Sequence, residues 1–288
     1  MKILSRPKGN AEEYGRWSVN PYVGCPHRCE YCYLKKGVWA NTLGGSVPTL
    51  KENILNEYHA VHQAMVEIYD HREQIVKDGG LFMTFTSDPC AKETREVFFK
   101  IIEESTADLG IPVTILTKNA DFTSFWRYSD IITDAMLCIH PSWKTKRLLA
   151  IGWTLTGHDE MEPNAATNEE RINAMRISSL SGIKTWASIE PVIDFDASFK
   201  MIQQALDAGC RHFKIGLMTK NTKVCRNMYD HDACITFIHD VMRTMGAGGG
   251  TATVYWKQSF RDFLGEEDFT RATVGYKNIV GKDWSMFQ

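Results

Sequence analysis

Apolar and polar positions along this chain follow two alternating rhythms. Short β-rich apolar runs stand at 81–87 (LFMTFTS), 113–117 (VTILT), 135–140 (AMLCIH), 184–192 (KTWASIEPV), 212–218 (HFKIGLM) and 251–257 (TATVYWK), with a weaker run at 17–24 (WSVNPYVG). Between them apolar residues recur every three or four positions, the spacing of one helix face. Ile54, Tyr58, Val61, Met65 and Ile68 form one such set, and Val97, Phe98, Ile101 and Ile102 a second. Further sets are Ile172, Met175 and Leu180; Phe199, Ile202 and Leu206; and Ile235, Ile238, Val241, Met242 and Met245. Gly209 and Gly246 read as helix stops. Strand, helix, strand, repeated about six times, predicts an α/β fold of parallel β/α units. We read them as an open or partial barrel, although periodicity does not separate that from a doubly wound sheet.

From Pro141 to Asn168 there are 28 residues with little helical rhythm. A connection of that length in a compact domain predicts a lid or binding loop, here at the C-terminal rim of the fourth strand. Its Trp143, Trp153 and His158, with Lys144, Lys146 and Arg147, would suit stacking on a planar nucleotide; the alternative is a lid using its tryptophans as its own small core.

Composition narrows the class. In 288 residues, 43% hydrophobic content supports a substantial core and a net charge of −2 gives no global field for a polyanion. The first twenty residues hold no apolar signal segment and no run is long enough to span a membrane, so a cytoplasmic, non-membrane protein is expected. Eight cysteines in a chain of this length, without an export signal, read as ligands where clustered and core residues where scattered. The scattered Cys210, Cys225 and Cys234 match no compact ligand spacing.

The cluster is Cys25, Cys29 and Cys32, spaced Cys-x3-Cys-x2-Cys. A structural zinc site wants four ligands, usually in two separated pairs, and here only His27 is near to serve as a fourth. A 4Fe–4S cluster held by three thiolates keeps one iron open for an exogenous ligand. Zinc, or plain buried thiols, are the alternatives.

This motif, with Tyr31 just before its last cysteine, resembles the radical S-adenosylmethionine (SAM) superfamily. The blocks NPYVGCPHRCEYCYLK, TSDPCAKET, PVTILTKN, EPNAATNEERINAMRISSLSGIKTWASIEPVI and HFKIGLM resemble the branch containing spore photoproduct lyase and the DNA-repair-photolyase-like proteins. The resemblance covers roughly residues 18–220. It implies a partial (β/α)6 TIM-like barrel as a radical SAM core over residues 1–220, with residues 221–288 as a C-terminal extension packed on it. It also implies a 4Fe–4S cluster on Cys25, Cys29 and Cys32, and SAM on the open iron. Reductive cleavage of SAM would then give a 5′-deoxyadenosyl radical, with electrons from a flavodoxin- or ferredoxin-type donor. A nucleotide or nucleic-acid-derived substrate is the first expectation, and a peptide or small molecule the second. From another class, a zinc-stabilised binding protein is the rival.

On the same resemblance Tyr31 would lie near the adenine. Thr86, Ser87 and Asp88 end the second strand and would accept from the SAM ammonium, with Ser87 the matching position; a turn or helix cap is the alternative. Lys118 would pair with the methionyl carboxylate. Glu190 would reach ribose or adenine, with Ser188 on the same strand parity. His140 and Arg171 are weaker candidates. Lys257 and Arg261, near the last strand's end, would meet an anion or water. The branch's hydrogen-donating cysteine is replaced here by Phe85, which leaves Cys90 as the nearest thiol and candidate donor.

Overall fold

The computed structural model describes residues 2–36, 40–121, 147–218, 229–247 and 252–276. Among the described residues eight strands make one sheet in the order β1 (Leu4–Ser5), β2 (Ser18–Val19), β5 (Leu81–Met83), β6 (Val113–Thr117), β7 (Leu149–Thr154), β8 (Lys184–Val192), β9 (His212–Leu217) and β10 (Thr253–Trp256). Every neighbouring pair from β2 to β10 is parallel, and β1 lies antiparallel along β2. A separate antiparallel pair, β3 (Tyr22–Val23) with β4 (Thr49–Leu50), brackets the cysteine segment. The fold is therefore α/β with a mostly parallel, open sheet, as the strand–helix alternation predicts.

Among the described residues the helices are α1 (Ala40–Leu43), α2 (Glu57–Asp70), α3 (Arg72–Lys77), α4 (Arg95–Glu103), α5 (Asn168–Leu180), α6 (Phe195–Asp207), α7 (His231–Ala247), α8 (Gln258–Leu264) and α9 (Glu266–Thr273). Local chemistry starts several of them. Asn56 caps α2 by accepting from the His59 amide, and Asp194 caps α6 by accepting from Ala197. Thr167 and Glu170 form a capping box on α5. Gly209 follows α6 as expected, with φ +92°, but Gly246 lies inside α7 and does not stop it. Among the described residues no helix is long and apolar enough to cross a membrane.

Strand parity sorts the core into two faces. Outward residues such as Met83, Ile115, Ile151, Ile189 and Ile215 join the large core under the helices. Inward residues Phe82, Ala150, Trp186 and Tyr255 form a second cluster on the concave face, with Tyr14, Phe85 and Leu116 against it. Gly152 is part of this inner surface because no side chain fits there: a Cβ would lie 2.1 Å from the Trp186 ring. Gly152→Ala is expected to overpack the inner face and destabilise the protein by about 1–3 kcal/mol. An unchanged urea midpoint would contradict the seating of Trp186 over β7.

Two expectations are corrected. The segment read as a long lid contains the central strand β7, registered between β6 and β8 with Ile151 opposite Ile115 and Thr185. A strand buried on both faces shows a continuous apolar run instead of alternation, and LAIGWT is such a run. Trp153 is accordingly fully buried in the core, with its indole N–H donating to the Asn119 carbonyl at 3.0 Å, and is not a stacking platform. The run at 135–140, with His140 and Cys138, lies outside the described residues, as do Trp143, Lys144, Lys146 and Cys225. Residues 221–288 are expected as an extension packed on the core. β10 continues the sheet in register with β9, Val254 opposite Phe213, and α7 is its crossover.

Candidate functional site

The cysteine loop leaves β3 through Gly24. Its φ of +89° and a would-be Cβ 2.6 Å from the Val47 carbonyl admit only glycine. The Cys25 amide then donates to Gly45 O at 2.9 Å, and the Cys32 amide to Cys29 O at 3.3 Å. Cys25, Cys29 and Cys32 are free thiols. Burial, with the nearby Asp88 charge, pushes the Cys25 thiol up to about 12, and burial also raises Cys29. A metal taken up here must therefore displace protons.

Two buried carboxylates hold this loop. Asp88 accepts from the His27 ring (Nε2, 2.8 Å), the Cys90 amide (2.8 Å), the Thr117 hydroxyl (2.8 Å), the Lys118 amide (2.9 Å) and Asn119 Nδ2 (3.2 Å). Burial alone would raise its carboxyl, but His27 and the amide donors outweigh that and hold it at about 2. Asp88 thus ties the loop to the ends of β5 and β6, and its oxygens are engaged by protein groups, which argues against the expected contact with an ammonium ligand. The second carboxylate, Glu162, was not singled out from the sequence. It accepts from the Tyr31 hydroxyl and from Arg171, both in buried surroundings. Around it the segment after β7 packs on the loop: Glu30 N donates to Met161 O, and Asn164 contacts the backbone of Pro26 and His27.

Beside the loop, two groups have unmet capacity. Ser87 Oγ is buried with no hydrogen-bond partner among the described residues. Lys118 Nζ makes no hydrogen bond there either; it lies 3.9 Å from Glu162 and 5.5 Å from the centre of the Tyr31 ring. Thr86, by contrast, donates its hydroxyl to Tyr22 O at 2.5 Å and serves the scaffold.

Ser188 and Glu190 do share the inner face, as parity predicts, but their partners there are protein groups. Tyr14 hydrogen-bonds both, and Lys257 donates to Glu190 at 2.6 Å while lying 3.3 Å from Glu13. Burial opposes both charges, yet the pairing lowers the Glu190 carboxyl and raises the Lys257 amine, so both stay ionised. Glu13 also accepts from the Gln258 amide at 2.9 Å, which straps the chain ahead of β2 to the chain after β10. Gly216 leaves room for this network: a Cβ there would lie 2.8 Å from Lys257. Arg261 pairs with Glu266. His158 bridges Glu160 and Asp194; burial would lower its pKa, but those carboxylates raise it. Cys90 packs in the helix-side core beneath Asp88, where burial and that charge push its thiol well up. That placement disfavours the expected role as donor. Cys210 and Cys234 are core residues, as read.

The residues fit a cluster better than a single ion. His27, the one fourth ligand proposed for zinc, has both ring nitrogens engaged, by Asp88 and by Asn164 O at 3.1 Å. Three spaced thiols, an orphaned hydroxyl and an ammonium held only by a 3.9 Å ion pair match a multi-iron group with an open position and an amino-acid-like ligand on it.

No protein-family model matches the chain. An uncharacterised protein of Methanocaldococcus jannaschii is 26% identical over 192 residues, covering 62% of this chain and 61% of the relative. Spore photoproduct lyase complexed with dinucleoside spore photoproduct superposes with a TM-score of 0.59 at 14% identity, over 88% of this chain and 80% of that one. Streptococcus suis SuiB bound to S-adenosylmethionine gives 0.54 at 11% identity, over 88% of this chain and 53% of SuiB. SuiB bound to the precursor peptide SuiA gives 0.53 at 11% identity, over 90% and 54%. The chain therefore spans about half of SuiB and carries the α/β partial-barrel fold of these radical SAM structures.

Proposed function

We propose that this protein is a radical SAM enzyme, with Cys25, Cys29 and Cys32 as the cluster ligands. One juxtaposition carries the reading. Three free thiols, Cys25 and Cys29 within electrostatic reach of the Lys118 ammonium, lie on a loop tied through His27 to Asp88, the residue after the orphaned Ser87 hydroxyl; that ammonium and hydroxyl are the groups needed for the carboxylate and amino ends of SAM. When bound, a 4Fe–4S cluster supplies the single electron that cleaves SAM to a 5′-deoxyadenosyl radical able to take hydrogen from a substrate. The chain's own residues position and shield. Asp88 and Glu162 fix the loop, Lys118 offers a cation over Tyr31, and the aromatic inner face keeps water from the reacting groups.

For the substrate we infer a nucleotide or nucleic-acid-derived molecule, on the sequence resemblance to the photoproduct-lyase branch and the fold likeness to the lyase. The peptide-bound likeness of SuiB supports the second reading, a peptide substrate. Position 85 is Phe, and Cys90 is packed away from the inner face, so we propose chemistry other than the lyase's own. A flavodoxin- or ferredoxin-type protein is the proposed electron donor.

Anaerobic reconstitution is expected to load about four irons per chain. Dithionite and SAM should then yield 5′-deoxyadenosine and methionine. A protein that loads one zinc per chain and leaves SAM intact would end this reading.

A further inference from the structure

Behind the cysteine loop lies a charge pair that loop anchoring alone does not require. The side chains of Glu162 and Arg171 are both 0% exposed and are joined through Arg171 Nη2. Arg171's remaining donors go to backbone carbonyls, Nε to Ala166 at 2.7 Å and Nη1 to Thr154 at 2.8 Å. Glu162 alone reaches the loop, through the hydroxyl of Tyr31, which stands between Cys29 and Cys32. The pair is therefore oriented, its anionic end toward the thiols and its cationic end behind. Lys118, 3.9 Å from Glu162, is the opposing cation on the same side. A buried ion pair is a weak source of stability, because desolvation offsets its Coulomb gain. Its field, however, is poorly screened, and iron–sulfur potentials respond to nearby charge.

We infer that Glu162, balanced by Arg171, is an electrostatic positioning residue that sets how readily a cluster on Cys25, Cys29 and Cys32 accepts its electron. This rests on the reading just proposed. The sign follows from placement. An anion facing the cluster opposes electron uptake, so neutralising it favours the reduced form, while removing the cation behind it does the reverse. Restoring net neutrality by changing both restores the balance.

The test uses the full chain, reconstituted anaerobically without SAM, in a redox titration followed by the paramagnetic signal of the reduced cluster. E162Q is expected to raise the reduced-to-oxidised ratio at a given potential about tenfold, equal to about 59 mV for one electron. R171M should lower it, E162Q/R171M should return it to within about threefold of the parent, and E162D should stay close to the parent. General damage to the site would move every variant in the same direction. Should one single variant fail to fold, the other against the double variant, which leaves neither member of the Glu162–Arg171 pair charged, still tests the sign. Ratios for E162Q and R171M that shift together, or an E162Q ratio within about twofold of the parent, would overturn the inference. A parent chain that holds no iron defeats the enzyme reading instead, and the two failures are thereby told apart.

Discussion

Changing Cys25, Cys29 and Cys32 together to alanine is expected to abolish both iron retention and SAM cleavage while leaving the chain folded. The asymmetry follows from where these thiols sit. Cys25 and Cys32 are only partly buried, on a loop between two short strands, and the main core under the helices does not include any of the three. The loop's own shape comes from Gly24, from backbone contacts to Gly45 and Met161, and from the His27–Asp88 and Tyr31–Glu162 bonds, none of which uses a cysteine side chain. Three alanines therefore remove ligands and little packing, and the urea midpoint should move by less than about 1 kcal/mol equivalent. The counterpart is Cys90→Ala. It removes a fully packed core thiol and should cost about 1–2 kcal/mol while iron content and 5′-deoxyadenosine yield persist. If the triple variant still formed 5′-deoxyadenosine, the loop would not be the cofactor site. If Cys90→Ala lost the yield with its iron intact, the exclusion of Cys90 from the chemistry would be wrong.

How much of this architecture is legible in the sequence depends on sequence distance. The strand Val113–Thr117 is legible to the residue because five β-forming positions end in Thr-Lys-Asn. The inward parity of Ser188 and Glu190 came from counting along a single strand. The three-thiol loop declared itself through spacing. What spacing cannot show is which partner a side chain meets across the fold. Tyr14 reaches Ser188 from 174 positions away, and Tyr31 reaches Glu162 from 131. Glu162 carries no local mark of importance; it is one acid in a polar stretch, and only the closing of β7 against β6 and β8 brings it under the loop. The strand inside the segment expected as a lid has a related origin. LAIGWT lacks alternation because both its faces are covered. The α2 face shows the limit from the other side. Tyr58 fits the helical repeat, yet it is 77% exposed because Ala60, Val61, Ala64 and Ile68 supply the buried ridge.

Asp88→Ala should then be the single substitution most damaging to the site. Five donors from three segments converge on this one carboxylate, whose side chain is 6% exposed. Removing it leaves an imidazole, two amides, a hydroxyl and a carboxamide facing an apolar hole. Breaking a buried, hydrogen-bonded charge in this way costs about 3–5 kcal/mol, and the loop should lose its grip on iron even where the barrel survives. Asp88→Asn keeps the shape and one acceptor, so it should lie between alanine and the parent in iron content. The acid limb gives an independent check. The Asp88 carboxyl is depressed in the folded protein, so its contribution is present above the unfolded value of ~3.9. It is lost as pH falls toward the folded value of about 2. The parent should therefore lose stability across that window, and Asp88→Asn should show a shallower slope there. An Asp88→Ala protein that retains its iron and unfolds at the parent's urea midpoint would show that His27 and the β6 end hold the loop without it, and the proposed architecture of the site would have to be rebuilt around Glu162 alone.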